Sequence, residues 1–463
     1  MKPYRNVLRL ELRHFLRNKA VVLGAISLLA FAFYSFFHGN QVIEHQQQTI
    51  ASVPSVQKHH LQQIVAHGAG KVAGTTAYYP FFYTINPPTP WARFTLGQRD
   101  VHPYTLKVKM LAIEGQLYDS ELTNPLNLLV GNLDAAFVFL FLFPLLIIAL
   151  SYNVLSEEQE TGVWNIVHTS TAQLGRTIAG KLLVRFGVLL VLTLAVFAAA
   201  CFCLRLPFSG PTFQLLLVVL IYVLFWFAVA ALIVSLGKRS SFNATALICI
   251  WIFLAVLLPG MANTLVNSNI PIPEASETTI RQREGYHAKW DAPKKTTMEK
   301  FYAVYPQYRH YPIPDDKYSP GWYYAMQFSG DLESKHASEQ LFEKLGQRQN
   351  LSEIMGWFNP LIAAQQALNQ VANTDLESHV RYLQSVKAHH RQIREYFYPH
   401  IFEDTPTEKL DWAGFPPYQP VGYGNEPPTA GILVILVWSF AFLGLALLSF
   451  KRNFLTIKDL TND

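Results

Sequence analysis

The sequence predicts an all-α polytopic membrane protein. Six transmembrane helices, cytoplasmic N- and C-termini and a helix-rich extracytoplasmic domain built from two inserts are expected. Charged residues make up only 15% of the 463-residue chain, against about 25% in ordinary soluble domains. The deficit is concentrated in six runs: Ala20–Phe37, Ala135–Leu155, Phe186–Leu204, Phe213–Leu236, Phe242–Ala262 and Ala430–Phe450. At about 1.5 Å of rise per residue, each run is long enough for a hydrocarbon core of about 30 Å. None carries the polar stripe of a helix buried in a soluble core.

Residues 1–19 precede the first span. Arg5, Arg9, Arg13 and Arg17 recur every four residues and form a basic stripe. Val7, Leu8, Leu12, Phe15 and Leu16 occupy another face. Such a helix lies in the membrane interface with its arginines toward anionic headgroups, and it also serves as a topology anchor. The first span, 20–38, is followed by Phe36-Phe37-His38-Gly39-Asn40, which offers no small-x-small cleavage site, so an uncleaved span is expected.

The first insert covers 39–130. It begins with a Gln- and His-rich segment, Gln41–His67, that continues the helix until Pro54 breaks or kinks it. The remaining spans are expected at 133–155, 183–204, 213–236, 242–262 and 430–450. A polar segment, 156–181, separates the second and third spans, and the second insert covers 264–428. In that insert, Asn359-Pro360 marks a helix start and Asn373-Thr374-Asp375 supplies the cap of the next. The Lys/Arg bias sets orientation. The N-terminal segment, the Lys238-Arg239 loop and Lys451-Arg452, which opens the tail 451–463, fall on one side with 156–181. That side is the cytoplasm. The net charge of +5 then reflects topology, not nucleic-acid binding.

Several chemistries are disfavoured. Cys201, Cys203 and Cys249 all lie in spans, so the inserts hold no disulfide. The adjacent pairs His59-His60 and His389-His390 do not converge on a helix, so no metal site is nominated. Asp134 and Arg185 sit at span edges, where both are expected to reach interface water. No ionisable group lies at mid-span for proton-driven transport or intramembrane catalysis. Gly175 to Lys181 fits G-x-x-x-x-G-K, but Leu182 stands where a P-loop has the Mg-binding Ser or Thr.

The polar segment remains. Glu157, Glu158 and Glu160 open it, Val163, Trp164, Ile166 and Val167 add an apolar patch, and Gly180-Lys181 close it. A short helix–turn–helix with an exposed Trp suits docking to a soluble protein, although a plain interfacial loop has the same composition.

Leu155-Ser156-Glu157-Glu158-Gln159-Glu160-Thr161-Gly162-Val163-Trp164, followed by Gly180-Lys181-Leu182, resembles the segment between the second and third spans of ABC-2 type transporter permeases. Glu160, Gly162, Gly180 and Lys181 match the pattern, and Val163 replaces the usual Thr. Phe94-Thr95-Leu96-Gly97-Gln98-Arg99-Asp100, Ser120-Glu121-Leu122-Thr123-Asn124-Pro125, and Asn359-Pro360 with Gln365-Gln366-Ala367-Leu368 and Thr374-Asp375 look like a branch with large outer inserts and no defined function.

The resemblance implies a non-catalytic permease subunit with no cofactor of its own. ATP and Mg would bind a separate ABC ATPase dimer. A second permease subunit, identical or related, would complete the complex, with periplasmic proteins as further partners. Residues 157–178 would contain the coupling helix, and the N-terminal helix would be an interfacial elbow. The setting implied is a bacterial inner membrane. Export of an amphipathic substrate and mechanotransmission to the outer domain are both compatible. So are a membrane receptor and an enzyme with an outer active site, neither needing an ATPase.

Overall fold

In a computed structural model of the protein, residues 19–117, 133–162, 174–313, 317–424 and 427–455 are described. The chain runs through α1 (Lys19–His67), α2 (Ala135–Glu160), α3 (Leu174–Cys203), α4 (Gly210–Ser235) and α5 (Ser240–Asn269). It continues through α6 (Glu274–Ala288), α7 (Lys294–Val304), α8 (Pro320–Phe358), α9 (Pro360–Ala372), α10 (Leu376–Phe402) and α11 (Thr429–Phe450). Six of these, α1 to α5 and α11, are long and apolar enough to cross a membrane.

α4 is the axis of the bundle. Tyr222, Phe225 and Trp226 on α4 pack with Phe139 and Phe143 of α2 in one buried cluster. α5 and α11 keep most of their surface open, with Phe253, Val256, Phe440 and Leu447 among the exposed side chains.

Proline shapes two of the helices. A π turn at Val138–Leu142 ends two residues before Pro144, and another at Phe253–Leu257 ends two residues before Pro259. A proline has no N–H and its ring crowds the carbonyl four residues back, so the helix widens to absorb it. The carbonyls freed are taken by side chains from elsewhere. Tyr222 donates to Leu140 O at 3.0 Å, Trp251 Nε1 to Phe141 O at 3.2 Å, and Asn359 Nδ2 to Leu254 O at 2.8 Å. Each proline thus becomes a cross-link between helices.

α1 is a single helix of 49 residues, about 73 Å long, so it rises well beyond any bilayer. It does not break at Pro54 as expected from sequence. It is held below that point by Asn40 Nδ2 donating to Cys203 O, and above it by Gln57. Gln57 bonds both Phe81 O and Tyr83 N (2.8 and 2.9 Å) on the edge of a β-hairpin. That hairpin pairs β1 (Phe82–Ile85) with β2 (Thr105–Val108), antiparallel, Phe82 opposite Val108. It is the only sheet among the described residues.

The two inserts share one aromatic core, in which Phe82 from the first meets Phe301, Tyr324, Phe397 and Tyr398 from the second. A buried ion pair joins Arg394 to Asp331 at 2.8 Å, and Asp331 Oδ1 also accepts from Ile113 N at 2.8 Å. The inserts are therefore one folded unit. α9 is the exception: its Leu361, Ala364, Leu368 and Val371 are buried in the bundle's cluster, not the inserts'.

Candidate functional site

At one end of the bundle lies the polar segment. Its described residues are Ser156–Gly162 and the chain from Leu174 onward. Every carboxylate at its start is engaged within the chain. Glu157 accepts from Asn153 Nδ2 at 2.8 Å, and Glu158 pairs with Lys181. Glu160 accepts from Ser240 N at 2.7 Å and Ser240 Oγ at 3.1 Å. The last contact satisfies one of the orphan N–H groups at the start of α5, as a capping side chain does. The Glu158–Lys181 pair closes the base of the segment, with Lys181 9% and Glu158 22% exposed.

Gly162 takes a left-handed φ of 75° at the exposed end of the α2 turn, a conformation glycine adopts without cost. Gly180 is buried one residue before Lys181. Trp164, Ile166 and Val167 lie outside the described residues, as do Arg5, Arg9, Arg13, Arg17 and Ser120–Pro125.

Two residues, Arg185 beneath the segment and Asp134 at the far end of α2, differ from expectation. Arg185 and Asp134 do not sit in interface water; both are buried. Arg185 donates to Leu150 O and to Asn153 Oδ1, the latter at 3.0 Å. Asp134 caps α2 by accepting from Phe137 N at 2.9 Å, and it also accepts from Leu96 N at 2.8 Å. A buried charge persists only where such donors and acceptors replace water. Ser240 and Asn243, which donates to Tyr152 O at 3.0 Å, complete the arrangement. Nothing local in the sequence marks Ser240 as the partner of Glu160.

The opposite end carries the inserts, and here motifs far apart in sequence meet. Gly97, with φ of 53°, lies against Thr374; a Cβ on Gly97 would come within 2.5 Å of Thr374 O. Gln98 N donates to that same carbonyl at 2.8 Å. Thr95 Oγ1 donates to Asn369 Oδ1 at 2.7 Å, and Gln365 Nε2 donates to it at 2.9 Å. Asn359 caps α9 and Asp375 caps α10. Gly431 at the start of α11 passes so close to α9 that a Cβ would stand 2.9 Å from Ala363 O.

Beside this junction His102 and His379 stack face to face, centroids 3.8 Å apart and planes 7° apart. Burial lowers both imidazoles, and for His379 the neighbouring His102 and Arg99 add to it, taking it down to about 3. Arg99 is itself buried, donating to Gln46 Oε1 at 3.1 Å and Asn86 O at 2.7 Å.

The histidine pair His389-His390 is buried rather than solvated, with a His390 Nε2 to Lys109 O contact of 2.8 Å. Among the described residues no group of three or more His, Cys, Asp or Glu side chains converges to hold a metal. Gly175 to Lys181 lies within the continuous helix α3. A phosphate-cradling motif places its glycines in a loop ahead of the helix, whereas here they already belong to the helix.

The fold and these two junctions define a six-helix membrane-type bundle with a helical insert domain fastened to one end. Residues 276–420 match the family model of a domain of unknown function, DUF3526. That match covers α6 to α10 and none of the six apolar helices. No curated protein matches the chain.

Proposed function

We propose that this chain is the permease subunit of an ABC-2 type ATP-binding cassette transporter. It sits in a bacterial inner membrane with the insert domain toward the periplasm. ATP and Mg bind a separate ATPase dimer, and a second permease subunit completes the complex. The reading rests on one observation above all. The base of the polar segment is locked to three helices at once, α2 and α3 through Glu158–Lys181 and α5 through Glu160–Ser240. A load applied to the segment is therefore delivered to half the bundle.

At the other end, α9 is seated in the bundle core and leads directly into α10 of the insert domain. Helix movement thereby reaches that domain. The apolar interior of the spans favours an amphipathic exported substrate over an ion, with mechanotransmission to the insert domain as the other output of the same linkage.

Affinity purification of the full chain from its own membranes tests this. An ABC ATPase is expected to co-purify, and Trp164→Glu is expected to release it while the permease still reaches the membrane. Recovery of no ATPase with the unaltered chain sinks the proposal and leaves a membrane receptor or an enzyme with an outer active site.

A further inference from the structure

Where α1 rises past the bilayer, a cleft of about 840 Å³ opens between it and the insert domain. Its volume falls in the range of small-molecule sites, about 300–1,000 Å³. One wall is a double stripe on α1, in which Val53, Gln57, Leu61 and Val65 recur every four residues beside Pro54, Lys58, Gln62 and Ala66. The facing wall is aromatic: Tyr83 with Ile85 from β1, then Trp412, Phe415 and Tyr418 from the chain after α10. β1 is split by its pleat, because Phe82 and Thr84 enter the domain core while Tyr83 and Ile85 face the cleft.

The polar atoms around the cleft are nearly all in use. Gln57 holds the hairpin edge. Trp412 Nε1 donates to Thr407 O at 2.9 Å, and the Tyr418 hydroxyl bonds Ser385 Oγ at 2.6 Å. Asp411 Oδ1 accepts from Ala413 N at 3.0 Å within its own turn. One is left. Lys58 is exposed on the rim and forms no ion pair with the described residues. His389 lines the cleft as a buried ring packed edge-on against Tyr418, with its Nδ1 closed off from solvent.

We propose that this cleft binds a single acyl chain bearing an anionic head group, with the head at Lys58. The stripe from Val53 to Ala66 is about 20 Å long. Lys58 stands within the stripe, so about 12 Å of it, from Lys58 to Ala66, is left for the chain beyond the head. A peptide strand is a poor occupant. The Phe81–Tyr83 edge it would pair with is already bonded by Gln57 and by His60 Nε2, which accepts from Phe81 N at 3.2 Å. Its remaining backbone groups would enter an apolar slot unsatisfied. An acyl chain carries no such groups. The proposal stands independently of the permease reading.

The test uses the full chain in lipid nanodiscs with two photoreactive probes, a diazirine fatty acid and a diazirine phospholipid, and mass-spectrometric mapping of the adducts. Adducts are expected on 53–66 and 412–418. Labelling by the first probe makes the free acid the ligand, and labelling by the second alone makes it a bilayer lipid. Val65→Trp fills the cleft and should lower these adducts about tenfold, the equivalent of about 1.4 kcal/mol of binding. Lys58→Glu, on an exposed position that leaves packing intact, should weaken labelling by the fatty acid but not by the matching fatty alcohol. Adducts confined to Ala20–Phe37 with either probe, or a Lys58→Glu effect equal for acid and alcohol, overturn the assignment.

Discussion

The two ends of the helix bundle are fastened by opposite chemistry. At the insert-domain end the contacts are close and mostly neutral, the Asp134 carboxylate on Leu96 N apart. Backbone meets backbone at Gly97–Thr374 and Gly431–Ala363, and amides and hydroxyls of Thr95, Asn359, Gln365 and Asn369 fill the gaps. At the other end the ties are ionic or charge-assisted: Glu158–Lys181, Glu160–Ser240 and Arg185–Asn153. Close packing has one solution, since a shift of even a fraction of an ångström loses contacts or creates overlap. A charge-assisted bond near the bundle surface has alternatives, because water or a partner's charged group can replace either side. The first end suits rigid transmission, and the second suits exchange with a docking protein.

The most direct way to break this comparison is at Gly97. Gly97→Val adds a branched side chain at a φ of 53° and against Thr374. We expect a loss of about 3 kcal/mol or more, from backbone strain and overpacking together. Gly162 has an even larger φ of 75° but open space around it, so Gly162→Ala should cost only about 1 kcal/mol. Thermal unfolding of the full chain in nanodiscs measures both. Equal midpoints for the two variants would mean that the Gly97–Thr374 contact does not hold the junction.

The next test is at the charged end. Lys181→Met leaves the Glu158 carboxylate without its partner in a site where one of its oxygens already lacks a hydrogen bond. Stranding a fully buried charge costs about 3–5 kcal/mol, but Glu158 is partly exposed, and screening reduces the expectation to about 2 kcal/mol. Glu158→Gln combined with Lys181→Met should recover most of the loss, because neither charge is then stranded. Hydrogen exchange should quicken around Ser156–Glu160 and the start of α3 in the single variant and stay unchanged around Thr374. Loosening at both ends alike would show the bundle to be one cooperative unit, with no difference between its ends.

The apolar helices were legible because lipid demands composition, not partners: charge-free runs announce themselves. The caps at Asn359 and Asp375 were legible for a similar reason, since a cap acts on its own helix. What required a partner was not. Leu361, Gln365 and Leu368 read as one face of a helix, but that face does not say which of two cores it joins. Pro54 reads as a break or a kink, and the helix runs on through it, tied to other elements by Asn40 and Gln57 on either side. Glu157, Glu158 and Glu160 read as an acidic surface for a partner. Their nearest partners, Asn153, Lys181 and Ser240, are internal, and only Lys181 had been singled out, without its pairing.

The smallest expected effect probes the insert-domain end through its stacked histidine pair. His102 and His379 stack at 3.8 Å beside the Gly97–Thr374 junction. The charged and titratable groups that face the pair are Arg99, Tyr104 and Asp375, with the Tyr382 ring 6.3 Å from His379. In the fold His379 stays neutral down to about pH 3, while in the unfolded chain it takes up a proton near its ordinary value of 6.5. The unfolded state therefore binds more protons between about pH 6.5 and 3. Stability from this group is complete above that window and is lost as pH falls through it. His379→Phe keeps a ring against His102 but cannot titrate. We expect the melting midpoint of the variant to depend less steeply on pH below about 6.5, by about one proton fewer taken up on unfolding, with little change at pH 8. Identical slopes for variant and wild type would mean that His379 protonates freely in the folded protein, and that the junction is looser than a stacked, buried pair allows.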